Sequence, residues 1–266
     1  MTYALRAELL KMRSMPGVWV TWALALPLTV LGCLGVFALA ANGAPGHALN
    51  FPQTLIQRRM LLGAGYGTMQ VLAPILGVLC ITTEYRNKTI TTSLILVPVR
   101  TKVIAAKVVV VALWSVFMVV LSLATVAAVG LPWNAALGGS ASQIFDQLGA
   151  VLPGLLAATV LLGLFGLGFG TLVKNQVAGI LITIGSTFIL EQILVGLARA
   201  IFHYNLNWLP NGAGGALAGD IARGFGNAQD ATSRLLSWWQ GGLVMLLWGL
   251  VPLTIGYFTT FRRDVT

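Results

Sequence analysis

Charged residues are scarce in this sequence. Only 9% of its 266 residues are Asp, Glu, Lys or Arg, whereas a soluble domain has about 25%. Hydrophobic residues make up 57% of the chain, and the mean hydropathy is +0.87. Because so few polar side chains cannot cover a water-soluble particle of 28.1 kDa, the composition excludes a soluble globular protein. It predicts an integral membrane protein.

The sequence also has few of the residues from which catalytic and metal sites are built. Its two cysteines, Cys33 and Cys80, lie inside apolar runs, and its two histidines, His47 and His203, lie in predicted loops. No disulfide framework or metal site can be built from such a set. Paired carboxylates are missing, and no GxxxxGK[ST] phosphate-binding loop occurs. We therefore expect no enzyme activity, no ATP hydrolysis and no cofactor on this chain.

Long apolar runs are what the sequence has in abundance. Six of them are long enough to cross a bilayer as helices, which takes roughly 20 residues. They cover about 18–41, 60–83, 108–131, 148–173, 177–198 and 238–261. The two-residue alternation of a membrane β-barrel is missing. The sequence predicts an all-α membrane protein with six spans in one domain, 1–266, and a loop with short helices over 199–237.

Basic residues are distributed unequally between the two sides of this layout. Eleven of the sixteen Lys and Arg fall on the side of the termini, and five fall on the other side. Cytoplasmic loops collect Lys and Arg, so both termini and the segment 84–107 are expected in the cytoplasm. The same rule accounts for the net charge of +9 without nucleic acid, for which no basic surface interleaved with aromatic residues is present.

The N-terminal residues carry one stripe of helical spacing, formed by Met1, Leu5, Leu9 and Met12. This pattern predicts a short helix over 1–16 that lies in the membrane interface with its basic groups at the headgroups. The alternative is a frayed tail.

The segment 84–107 holds five of the sixteen basic residues. It begins with the charges of Glu84, Arg86 and Lys88, continues as a run of helical potential over 89–97, and is interrupted by Pro98. Two interpretations are open. The segment is a surface helix that a partner protein binds, or it is a solvated loop with the usual cytoplasmic charges.

Two further features of the spans each have two interpretations. Glu191, beside Gln192, is the only acid within a predicted span. An ionisable group at that depth costs free energy, so Glu191 lines a translocation path or positions a gate, or else its carboxylate extends outwards to the membrane surface or pairs with a neighbour for structure. The glycines of the fourth predicted span permit close helix contact, either within the chain or across a dimer seam.

The segment 84–107 also resembles a known family. Its residues match the E-[FY]-R-x-G-T…L…P-x-R…K signature of ABC type 2 transporter permeases at Glu84, Tyr85, Arg86, Thr89, Leu94, Pro98, Arg100 and Lys107. Lys88 stands where the family usually has glycine. The basic turn 170–176 and the Trp-Leu-Pro run 208–210 resemble further family segments. The similarity therefore covers essentially the whole chain.

This resemblance implies that the eight matching residues couple the chain to an ATPase through a cytoplasmic coupling helix within 84–101. It implies an exporter in a bacterial plasma membrane, with a second permease, identical or a sister chain, and two ATPase subunits that carry ATP and Mg. Apolar walls suit an amphipathic substrate such as a drug, antibiotic, peptide or lipid-like molecule. The alternatives are an ion-coupled carrier, which needs several buried ionisable groups, and an intramembrane enzyme.

Overall fold

The computed structural model describes residues 2–41, 52–87, 89, 100–203, 206–219 and 236–261. Within these ranges every regular element is a helix and none is a strand. Six helices are long and apolar enough to cross a membrane. From first to sixth, these spans are Pro16–Ala41, Leu55–Arg86, Thr101–Ala136, Leu148–Leu172, Gln176–Phe202 and Trp238–Thr259. The prediction of an all-α protein with six spans is confirmed.

Shorter elements complete the described part of the chain. A turn at 63–65 divides the second span into Leu55–Leu62 and Tyr66–Arg86. Wider π-helical turns occur in the third, fifth and sixth helices, at Val126–Gly130, Ser186–Leu190 and Tyr257–Phe261. Three short helices lie outside the spans: Thr2–Ser14, Ala141–Phe145 and Pro210–Ala218. We call the first of these the N-terminal helix and the last the loop helix.

The N-terminal helix confirms the helical stripe that the sequence predicts. Leu5, Leu9 and Met12 face the hydrophobic core, and Met12 is fully buried. The helix packs mainly against the third span. It is therefore attached to the bundle and is not a frayed tail. We call the end of the bundle at which it lies the N-terminal end.

The second and third spans are longer than predicted. The second begins at Leu55 rather than near residue 60, and the third begins at Thr101 rather than near residue 108. The added turns contain Arg59 and Lys107, whose charges interrupt the apolar runs. Arg59 Nε donates a hydrogen bond to Gln147 Oε1 over 3.1 Å, and Lys107 is buried among acidic groups. Because partners distant in sequence satisfy these charges, the apolar pattern underestimates both helices.

The fourth span is the centre of the bundle and packs against the second and sixth spans. Glycines permit this approach. A Cβ built on Gly166 would overlap the backbone of Pro74, and one built on Gly168 would lie 2.5 Å from the carbonyl oxygen of Gly249. Small residues let membrane helices come into close van der Waals contact. These glycines of the fourth span therefore serve packing within the chain.

The fifth span is the least enclosed of the six, and the second is the most enclosed. Within the 199–237 loop, the loop helix is buried along most of its length. Residues 220–235 of this loop lie outside the described residues, as does most of the predicted helical run 89–97.

We predict that Gly166→Ala lowers the free energy of unfolding by about 1–3 kcal/mol, because the new methyl group meets backbone that cannot move aside. Gly149→Ala is the matched control, since it lies in the same helix and a Cβ there has no neighbour within 4 Å. Thermal unfolding in detergent measures both. Equal unfolding midpoints for the two variants would contradict the close packing described above.

Candidate functional site

Four charged side chains meet at the N-terminal end of the bundle. Glu8 and Lys11 lie one turn apart on the N-terminal helix, Glu84 lies in the last turn of the second span, and Lys107 lies near the start of the third span. We call this group the ion-pair ring, because its acidic and basic members alternate. Three separate helices are joined by it.

The ring is closed by four short contacts. Lys107 Nζ lies 2.7 Å from Glu8 Oε2 and 2.8 Å from Glu84 Oε1. Lys11 Nζ lies 2.7 Å from Glu8 Oε1 and 2.8 Å from Glu84 Oε1. Both lysines therefore bind the same oxygen of Glu84, whereas each binds a different oxygen of Glu8. The net charge of the four side chains is zero.

Burial makes the ring unusual. The exposed fraction is 0% for Lys107, 2% for Glu84 and 4% for Glu8. Lys107 also donates to the carbonyl oxygen of Cys80 over 3.2 Å, so each of its three protons has an acceptor. Removing ions from water costs several kcal/mol each, and close opposite charges offset part of that cost. Each member of the ring therefore needs the others.

Lys11 is the member nearest to solvent, with 31% of its side chain exposed. Partial burial acts to lower its pKa, but the hydrogen bonds and charges of Glu8 and Glu84 raise it more, so the pKa of Lys11 is above its usual range. Lys11 is thus charged at neutral pH. Its pairing stabilises the fold below the pKa of an unfolded lysine, about 10.4, and this contribution is lost as the pH rises through the higher folded value.

The structure brings two of the predicted coupling residues, Glu84 and Lys107, into direct contact, and it buries both. The segment 84–107, which we expected in the cytoplasm, therefore has one basic residue, Lys107, inside the bundle. Arg86 and Thr89 are exposed, and Tyr85 is half-buried against the core. Thr89 N–H donates to the carbonyl oxygen of Glu84 over 3.0 Å.

Three predicted coupling residues have no described side chain. Leu94 and Pro98 lie outside the described residues, and Arg100 begins the helix of the third span without a described side chain. The coupling role of all eight residues stays a prediction.

Glu8 and Lys11 are site residues that the sequence analysis missed. A signal for Glu8 was present, because positions 5, 8, 9 and 12 lie on one helical face. An acid on an otherwise apolar face predicts a buried carboxylate that needs a basic partner. Lys107, 99 positions away, supplies it.

Glu191 and Gln192, the predicted gate residues, lie apart from the ring in the fifth span. Glu191 is 3% exposed and Gln192 is exposed. The Glu191 carboxylate accepts hydrogen bonds from backbone N–H groups of the loop helix. In the described ranges, no three His, Cys, Asp or Glu side chains come together as metal ligands would.

We predict that Lys107→Met lowers the free energy of unfolding by about 3–5 kcal/mol, because it leaves buried carboxylates short of a cation. The exposed Lys102, five residues earlier in the same helix, is the control, and Lys102→Met should stay within about 0.5 kcal/mol of the parent. Denaturant titration in micelles measures both.

Glu8→Gln combined with Lys107→Met should recover part of the loss, since it removes one of the stranded charges. A Lys107→Met variant as stable as Lys102→Met would show that the ring does not hold these helices together.

Comparison with known proteins agrees with this layout. Residues 4–189 match the family profile described as ABC-2 family transporter protein. The matched region contains all four residues of the ion-pair ring and the first four spans, and it ends within the fifth. A search of curated proteins returned no match. The resemblance inferred from the 84–107 motifs is thus confirmed over more than half of the chain, which belongs to the ABC-2 transporter family as the membrane subunit of an ABC transporter.

Proposed function

We propose that this chain is the membrane subunit of an ATP-driven exporter, and that a separate ATPase subunit drives it from the N-terminal end of the bundle. Family membership supports a transport role. The sequence has no phosphate-binding loop of its own, which is consistent with ATP and Mg binding to the ATPase. By the family resemblance, two ATPase subunits act on two permeases, identical or sister chains.

The observation that carries this proposal is the ion-pair ring. Glu84 precedes the segment 88–99 and Lys107 follows it, so the ring joins the two ends of that segment to each other. The same two side chains bind Glu8 and Lys11 of the N-terminal helix. A displacement of the segment or of the N-terminal helix is therefore transmitted through the ring to the second and third spans together.

The charge of the N-terminal end favours a protein partner with an acidic surface. Among the described residues of this end, both acids, Glu8 and Glu84, are buried in the ring. The exposed charged side chains there are all basic, namely Arg6, Arg13, Arg86, Lys102 and Lys174. Complementary charge steers association and fixes register. The same distribution favours a cytoplasmic position for this end in a bacterial plasma membrane, next to anionic lipid.

The buried face of the spans favours an amphipathic substrate. Away from the ion-pair ring, Glu191 is the one charged side chain that is buried in the described part of the chain. Apolar walls with few charged groups suit a drug, antibiotic, peptide or lipid-like molecule better than an ion or a sugar polymer. Export as the direction of transport rests on the family resemblance.

We predict that a phosphate-loop ATPase copurifies with the tagged chain from its native membranes, where mass spectrometry identifies it. Arg86→Glu should reduce the recovered ATPase by about tenfold or more, because it places like charges against each other at the contact. The exposed Arg86 is outside the ring, so the fold should persist in this variant.

Arg58→Glu is the matched control, because Arg58 lies at the other end of the second span, and ATPase recovery should be unchanged. Absence of any ATPase from the wild-type preparation would contradict the proposed function. Equal recovery with Arg86→Glu would instead contradict the assignment of the docking end.

A further inference from the structure

The loop helix Pro210–Ala218 lies inside the end of the bundle that is opposite the ion-pair ring. The backbone of the loop helix is in close contact with a glycine of the fourth span and a glycine of the sixth span. A Cβ built on Gly154 of the fourth span would overlap the carbonyl oxygen of Leu217, and one built on Gly241 of the sixth span would lie 2.7 Å from that of Ala213. Ala213 is fully buried. The loop helix therefore fills this end of the bundle between the fourth and sixth spans.

Glu191 binds the first turn of the loop helix to the fifth span. The N–H of Asn211 lies 2.9 Å from Glu191 Oε1 and 3.1 Å from Oε2, and the N–H of Gly212 lies 3.3 Å from Oε1. The first N–H groups of a helix have no partner within the helix, and its N-terminal end carries partial positive charge. A buried carboxylate there satisfies both the donors and the charge.

A second contact lies one turn earlier in the fifth span. Asn211 Nδ2 donates to the carbonyl oxygen of Thr187 over 2.6 Å. Thr187 belongs to the π-helical turn Ser186–Leu190, which ends directly before Glu191. Such turns widen the helix and are sites at which helices bend. The attachment to the loop helix and the bend therefore occupy the same place in the fifth span.

Few other side chains in this half of the fifth span are buried. Large apolar side chains between Glu191 and Phe202 face outwards, among them Ile193, Leu197 and Ile201. Glu191 and Ala198 are the two residues of this stretch that are buried. The contacts of Glu191 and of the Thr187 carbonyl with the first turn of the loop helix therefore help to set the position of the fifth span.

We propose that Glu191 holds the loop helix in this end of the bundle, and that the loop helix is released when the fifth span bends. We call this contact of Glu191 with the loop helix the latch. Glu191 is a positioning residue in this proposal, and it acts on the loop helix rather than on the substrate. The role in transport rests on the proposed function, but the latch itself is a property of this chain alone. It can be tested without a substrate or an ATPase.

The test measures the access of a membrane-impermeant cationic methanethiosulfonate reagent to Ala213→Cys. The background carries Cys33→Ala and Cys80→Ala, and the reagent is added in proteoliposomes on the side of the loop helix. With Glu191 present, we expect slow labelling. Glu191→Ala should raise the labelling rate about tenfold or more, because the hydrogen bonds to two backbone amides are lost. Glu191→Gln, which keeps one acceptor oxygen, should fall between the two.

Two controls separate a latch from general loosening. Gln192→Ala alters the exposed neighbour of Glu191 and should leave labelling of Ala213→Cys unchanged. Ser115→Cys, a buried position in the third span, should stay protected in every background.

If Ala213→Cys stays protected from the reagent in the Glu191→Ala background, the proposal is overturned. It is also overturned if Ala213→Cys and Ser115→Cys become labelled at equal rates in that background. Neither result bears on whether an ATPase copurifies, so failure here and failure of the proposed function are distinguishable.

Discussion

A lysine without access to water is the constraint on which the N-terminal end of this protein depends. Lys107 has no exposed surface, and an unpaired ammonium group at that position would cost several kcal/mol. Its acceptors come from the N-terminal helix and the second span. The position of a short helix at the edge of the bundle is thereby determined by a charge in the third span. The N-terminal helix is part of the transmembrane structure rather than an appendage to it.

Among the described residues, the buried charged side chains form two groups, the ion-pair ring and Glu191, which lie at opposite ends of the bundle. Between the ion-pair ring and Glu191, the second, fourth and sixth spans meet through glycines at backbone distance. Close packing resists gradual deformation, so these three spans are suited to move as one body. The fifth span has few such contacts, which makes it the element that can change position relative to that body.

The features that depend on a local sequence pattern were predicted correctly. The contacts between residues that are distant in sequence were not predicted. Six apolar runs gave six spans, and the stripe of Leu5, Leu9 and Met12 gave the N-terminal helix. The ring was not predicted, because apolar periodicity carries no information about which acid meets Lys107. Glu191 was identified as the only acid within a predicted span, but its partners are backbone amides, which have no sequence signature. Pro210 at the start of the loop helix was the available sign, since proline favours the first turn of a helix.

The order of the ring residues along the chain has a consequence for biosynthesis. Synthesis proceeds from the N-terminus, and domains and segments made first can fold first. Both carboxylates that neutralise Lys107, those of Glu8 and Glu84, are translated before it. The third span therefore enters the membrane when acceptors for its charge already exist. Glu191 is translated 20 residues before Asn211, so its carboxylate has no hydrogen-bond donors from the loop helix at first. The fifth span therefore becomes fully stable only after the loop helix has been translated.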